Sequence, residues 1–288
     1  MDIRAILMGL AFALMWSSAF TSARMIVIDA PPLWSLSARF FISGTLGILI
    51  ALMMGQSWGL TRAQWAAIFV FGLCQNALYL GLNFVAMQWI EASLAAIIAS
   101  SMPLMVALLG WLVFRERIRF LGVIGLFVGV LGVVLIMGSR LSGGVDTFGL
   151  VLCVIGAFAL AVATLAVRGV SSGGNLLMVV GLQMLVGSGI LLCVALGTET
   201  LEVRWTGRLV AAFMYTTLVP GLIATWVWFE LVGRIGSVKA STFHFLNPFF
   251  GVLVAWALLG EKLGVTDVVG VLIIAGGILA VQLSKQPD

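Results

Sequence analysis

The fold is decided by SMPLMVALLGWLVFRERIRFLGVIGLFVGVLG, residues 101–132, because its landmarks return in LNPFFGVLVAWALLGEKLGVTDVVGVLIIAGG, residues 246–277. Ser101-Met102-Pro103, Arg115-Glu116-Arg117, Gly125 and Gly132 correspond to Leu246-Asn247-Pro248, Gly260-Glu261-Lys262, Gly270 and Gly277, every pair 145 residues apart. A fixed internal period in an apolar chain marks a duplicated bundle. Proline-broken helices at matched positions place a solute site between the two copies, the arrangement of a membrane transporter.

Working outward, the whole 288-residue chain is 62% hydrophobic and only 9% charged. A soluble domain carries about 25% charged residues, so these side chains must be dissolved in lipid. Crossing a hydrocarbon core of about 30 Å takes roughly 20 helical residues. Charges, Gly and Pro divide the chain into ten such runs, near 3–28, 33–54, 64–87, 92–114, 118–138, 147–168, 175–197, 207–232, 237–259 and 265–284. The expected fold is therefore an all-α integral membrane protein of ten transmembrane helices, two inverted five-helix repeats around a central cavity. The break at Ser139–Asp146, with Gly143-Gly144, sets the units at 1–140 and 141–288. Since five is odd, the two units enter the bilayer in opposite senses.

The N-terminal Asp2-Ile3-Arg4, an apolar run and Thr21-Ser22-Ala23 resemble a signal peptide. The run continues through Val27, however, long enough to span, and its removal would leave the first repeat one helix short. Basic residues set the orientation. With the N-terminus inside, nine lie on the cytoplasmic side (Arg4, Arg62, Arg115, Arg117, Arg119, Arg168, Arg234, Lys239, Lys285) and five outside (Arg24, Arg140, Arg204, Arg208, Lys262). The positive-inside rule then puts both termini in the cytoplasm. A net charge of +4 could suggest nucleic acid, but the cations are scattered singly at run ends and no nucleic-acid partner is expected. Cys74, Cys153 and Cys193 sit inside apolar runs at spacings that suggest neither metal clip nor disulfide, so neither metal nor cofactor is expected. Trp34, Trp58, Trp65, Trp89 and Trp205 lie near span ends, as an interfacial belt requires.

Polar residues within spans mark candidate contacts, because in lipid they must face protein or water. Pro103 and Pro248 each remove a backbone hydrogen bond inside a span and are assigned as hinges. Asn76, Tyr79 and Asn83 form a stripe at i, i+3 and i+7 beside Gln75; interhelical hydrogen bonding competes with solute recognition there. The first span has a similar stripe of Ser17, Thr21 and Arg24 next to Trp16 and Phe20. Ser100 precedes the first hinge. In the ninth span Ser241, the single histidine His244 and Pro248 share one α-helical face, with Asn247 beside it. Trp226 and Trp228 straddle two faces after Pro220-Gly221, so at least one could face a cavity. The expected substrate contacts are Trp16, Ser17, Tyr79, Asn83, Ser100, Trp226, Trp228, His244 and Asn247. Arg39 either snorkels outward or supplies positive charge at the outer mouth for a carboxylate. Gly122, Gly125, Gly129 and Gly132 in the fifth span, and Gly276 with Ala280 in the tenth, provide small faces for close helix packing within one chain. A functional monomer is expected, since both repeats are already present.

Ten spans in two five-helix halves, Trp16-Ser17-Ser18-Ala19-Phe20, and the Pro103-to-Glu116 and Pro248-to-Glu261 segments resemble the EamA group of the drug/metabolite transporter superfamily. Within it the chain is most similar to YddG-type exporters of aromatic and other neutral amino acids. The resemblance implies a basket-like bundle, a cavity lined by helices 1, 3, 4, 6, 8 and 9, a bacterial inner-membrane location and export from the cytoplasm. Small multidrug members use a buried glutamate in helix 1 for proton exchange, whereas here no acidic residue stands between Asp2 and Asp29, and Glu230 is the only one well within a span. Facilitated diffusion becomes the simpler expectation. Export of amphipathic drugs or other metabolites, possibly proton-coupled, is the alternative. An intramembrane enzyme using His244 and Ser241 lacks a partner carboxylate at obvious spacing, and no enzyme is expected. A purely structural lipid-embedded subunit would leave the polar stripes and paired prolines unexplained.

Overall fold

The computed structural model describes residues 3–115, 119–166 and 172–284; Asp2, Glu116, Arg117, Arg168 and Lys285, used above, lie outside them. Among the described residues ten helices are long and apolar enough to cross a membrane: α1 (Ile3–Asp29), α2 (Pro32–Met53), α3 (Arg62–Ala86), α4 (Ala92–Val113), α5 (Phe120–Ser142), α6 (Thr147–Ala166), α7 (Leu176–Thr198), α8 (Gly207–Ile235), α9 (Lys239–Leu259) and α10 (Val265–Ser284). No strand occurs among the described residues. Residues such as Phe127, Leu131, Leu196 and Leu272 turn more than half their surface outward, as an apolar solvent demands.

Packing obeys an exchange of halves. Helix α1 lies against α8 and α9, and its counterpart α6 lies against α3 and α4. Contacts of α3 with α7 are matched by those of α8 with α2, while α2 with α7, α4 with α9 and α5 with α10 are equivalent helices packed on each other. Direction is visible at the last pair. A Cβ on Gly125 would stand 2.7 Å from the Gly277 carbonyl oxygen, and one on Gly132 would stand 3.0 Å from that of Gly270. Rising along α5 is falling along α10, so the two halves are inverted. Backbones approach this closely only at small residues, and Gly44 meets Gly181 the same way between α2 and α7, at 2.9 Å. The small face of α10 is Gly277 with Ala280; Gly276, expected there, has open space around it. The two glycines lie about 100° apart on a helix, and only one can face α5.

Two helix pairs depart from α geometry at matched places. Helix α3 takes π winding over Gly72–Leu80 and α8 over Val219–Ile223, overlapping positions under the 145-residue repeat. Helix α4 is interrupted at Ser101, two residues before Pro103, and α9 tightens to a 3-10 turn over Thr242–Leu246 just before Pro248. Each proline lacks an N–H and crowds the carbonyl four residues earlier, and each then opens a fresh helical segment, a position proline favours.

The loops joining α1–α2, α3–α4, α5–α6, α7–α8 and α9–α10 share one face, here the distal face, opposite residue 3. Helix α2 begins with Pro31-Pro32, which supply no donors, so Leu33 and Trp34 carry its first free amides. Both donate to the Glu199 carboxylate, at 3.1 and 3.2 Å. The equivalent amide of α7, on Met178, donates to Gln56 Oε1 at 3.0 Å on the other face. Burial holds the Glu199 carboxyl above the usual carboxylate range, a rise the two amides offset only in part. Ala92 and Ser93 at the start of α4 donate to Glu261 at 2.8 and 3.0 Å. Arg140 forks onto Asp267 at 3.0–3.1 Å and reaches Glu91 at 2.5 Å. Asp29 accepts from Arg208 at 2.9 Å and pairs with Arg204 at 3.1 Å. Apart from the Arg140–Glu91 leg, each tie joins one half to the other.

The α5–α10 contact gives a signed prediction. Alanine in a helix interior is favoured over glycine by about 1 kcal/mol, so Gly276→Ala is expected to hold or raise the thermal midpoint in detergent. Gly277→Ala drives a methyl into the α5 backbone at Gly129; overpacking of about 1–3 kcal/mol lowers the midpoint by roughly 3 °C or more.

Candidate functional site

A cavity of ≈ 80 Å³ lies between the halves. Helices α1, α2 and α3 contribute Trp16, Phe20, Arg39, Phe40, Gln75, Asn76, Tyr79, Asn83 and Phe84, with Met87 just past the end of α3; α7 and α8 contribute Met184, Pro220, Gly221 and Thr225. Both π segments therefore meet it. A π turn shifts the helix face by one residue, which lets Gln75, Asn76 and Tyr79 all reach one space. The volume suits a few waters rather than the roughly 300 Å³ or more that ligand sites usually offer. Seating a whole solute requires the halves to part.

The polar stripe of α3 does two jobs. Asn76 Nδ2 donates to the Gln183 carbonyl at 2.9 Å, fixing α3 to α7. Asn83 Nδ2 donates to the Tyr79 carbonyl at 2.7 Å, and its Oδ1 accepts from Cys153 Sγ at 3.2 Å, which joins α3 to α6. Interhelical bonding and cavity lining coexist at these residues. Tyr79 is 2% exposed, so its ring forms wall rather than surface.

Arg39 does not snorkel. Only 7% of it is exposed, it lines the cavity, and its guanidinium carbon sits 5.3 Å from the Phe40 ring centroid. Its Nε has no hydrogen-bond partner among the described residues. One turn further along α2, the buried Ser43 hydroxyl is also unpartnered. Both groups flank Gly221, where a Cβ would lie 3.6 Å from Arg39 Nη2 and from Ser43 Oγ.

Of the contacts expected from sequence, Trp16, Tyr79 and Asn83 line this cavity, while Ser17, Ser100, Trp226, Trp228, His244 and Asn247 do not. Local geometry explains each. The 3-10 turn at Thr242–Leu246 has three residues per turn, which rotates His244 off the face it would share with Pro248 in an α-helix. Its ring packs instead against Trp228 at 5.1 Å and Phe12 at 5.4 Å, with Nδ1 3.1 Å from the Ser241 carbonyl. Trp226, two residues from Trp228, points to the opposite face and is 64% exposed. Ser17 donates to the Asn247 carbonyl at 3.1 Å, tying α1 to α9. Ser100 donates to its own helix at Ala96, 2.6 Å away. Gln75, Met184, Pro220, Gly221 and Thr225 also line it, though they were not among the expected contacts.

No group of three metal-ligating side chains stands close enough to hold an ion among the described residues. The Ser241 hydroxyl donates to Gln282 Oε1 at 3.1 Å, while His244 faces the carbonyl of that serine. The first of these contacts ties α9 to α10.

Comparison with known proteins agrees with this architecture. The model of the EamA-like transporter family matches twice, over residues 3–138 and 147–283. An uncharacterized transporter of Bacillus subtilis (strain 168), YvbV, is 25% identical over 96% of this chain and 91% of its own length. The uncharacterized inner membrane transporter YedA of Escherichia coli (strain K12) is 26% identical over 97% and 91%. A crystal structure 21% identical in sequence superimposes with a TM-score of 0.67 over 98% of both chains, a likeness of fold. The chain is a multi-pass membrane protein and belongs to the EamA-like transporter family.

Proposed function

We propose that this chain exports aromatic and other neutral amino acids across a bacterial inner membrane by alternating access, with both termini in the cytoplasm. The observation that carries the reading is the cavity at the seam between inverted halves, walled by Trp16, Phe20, Phe40, Tyr79 and Phe84. Flat rings and few charges suit solutes with an aromatic or aliphatic body and a small polar head. The solute-contact assignment now centres on Trp16, Tyr79 and Asn83, joined by Gln75 and Thr225.

Movement is assigned to the matched interruptions. Segments flanking Pro103 in α4 and Pro248 in α9 bend about the freed turns, while α5–α10 and α2–α7 act as ribs locked by glycine contacts. Opening the distal face must break the Asp29–Arg208 pair and the grip of Glu261 on α4. Arg208 keeps about half of its side chain in solvent, so water can take over its hold on Asp29 as that face opens. The excess of basic residues on the side of residue 3 favours placing that face in the cytoplasm. Glu230 is exposed on α8 rather than set in the cavity, so flow down the amino-acid gradient is the energy source in this reading.

Liposomes loaded with labelled phenylalanine or tryptophan are expected to release it only when they contain the protein, at a rate independent of an imposed pH gradient. Absence of flux for every amino acid refutes the reading, and stronger competition by non-amino-acid amphiphiles moves the cargo to that class. Pro103→Ala together with Pro248→Ala restores two helix hydrogen bonds, at about 1 kcal/mol each, that bending must then break. Turnover is expected to slow roughly tenfold or more, and an unchanged rate removes the hinge assignment.

A further inference from the structure

We infer that Arg39, with Ser43 one turn away, forms the receptor for a carboxylate carried by the solute. The inference rests on the exporter reading for the identity of the cargo alone; the anion site stands on its own geometry.

A guanidinium stays protonated in proteins. Burial therefore leaves a permanent positive charge in the cavity wall, where a lysine could have shed its proton. Such a charge is costly in a low-dielectric setting unless a counter-ion accompanies it. Among the described residues none stands beside it: no acidic residue lines the cavity. Asp29, Glu91, Glu199, Glu261 and Asp267 are all engaged at the distal face. The unpartnered Arg39 Nε and Ser43 Oγ are donors on one face of α2, and Gly221 keeps the space between them and α8 free of a side chain.

Three features narrow the class of anion. The guanidinium fork matches the two oxygens of a carboxylate. A single cation meets a single negative charge, which disfavours dianions. The adjoining rings of Trp16, Phe20 and Phe40 suit an apolar body bonded directly to that head. The ligand is thus a monocarboxylate with an aromatic or aliphatic body. An amine on the same molecule is tolerated rather than read by a charge.

Ligand-induced thermal stabilisation of the purified protein separates the possibilities, with tryptophan, indole-3-propionate (carboxylate only) and tryptamine (amine only) as probes. The first two are expected to stabilise wild type and tryptamine to leave it unchanged. Arg39→Gln is expected to weaken carboxylate binding roughly thirtyfold or more, as when one member of a buried charged pair is removed. Without ligand, the same variant is expected to be at least as stable as wild type, since an uncompensated buried charge has gone; a purely structural arginine would show the reverse. Ser43→Ala is expected to weaken carboxylates with the fold intact. Equal stabilisation by tryptamine and indole-3-propionate, or undiminished carboxylate binding by Arg39→Gln, overturns the inference, even if amino-acid flux persists and the exporter reading survives. Conversely, Arg39-dependent binding of indole-3-propionate without flux of any amino acid sinks the exporter reading and leaves the anion site standing.

Discussion

Everything in this molecule follows from the rule that a polar group surrounded by hydrocarbon must find its partner inside the protein. Ten helices satisfy their backbones individually, and what remains polar is gathered at the seam between halves. There Asn76 holds α7, Asn83 holds α6 through Cys153, and Ser17 holds the α9 backbone at Asn247. The seam is consequently both the glue of the structure and a place where water and a polar solute can be accommodated. Inversion follows from the count of five helices per half, and it makes the two faces alternatives built from related contacts.

The pseudo-symmetry is kept in the scaffold and relaxed in the chemistry. Gly125 against Gly277 and Gly44 against Gly181 bring equivalent helices together, and the interruptions of α3 and α8 and of α4 and α9 fall at corresponding positions. Yet the amide of Leu33 is capped by the carboxylate of Glu199, whereas its counterpart on Met178 is capped by the neutral Gln56. The polar stripe belongs to α3, and the position of α8 matching Tyr79 is Ala224.

Much of this was legible in the sequence, for physical reasons. Hydrophobic runs of the right length leave little choice but to span, and matched Pro103 and Pro248 located the interruptions of α4 and α9. The polar stripe of α3 was visible as helical spacing, and Tyr79 and Asn83 do line the cavity. The misses trace to local winding and to distance along the chain. Reading His244 onto the Pro248 face assumed α geometry where the backbone is 3-10. The π segment of α3 contains no proline and is bracketed only by Gly72 and Gly81, a weak signal. Gly276 and Gly277 are neighbours whose roles are separated by a single helical step. Caps such as Glu199 on Leu33 join residues 166 apart, and no local pattern reports them. Arg39 was noticed, but whether it turned toward water or toward the cavity depends on helices that one sequence does not position.

The central claim is that the duplicated units cross the bilayer in opposite senses. Its most direct measurement places single cysteines at Ser57 and Glu202, exposed loop positions 145 residues apart, in a background where Cys74, Cys153 and Cys193 are replaced by serine. A membrane-impermeant maleimide applied to intact spheroplasts is expected to label the cysteine at 202, and to reach the one at 57 only after permeabilisation. Labelling of both from the same side would contradict the account.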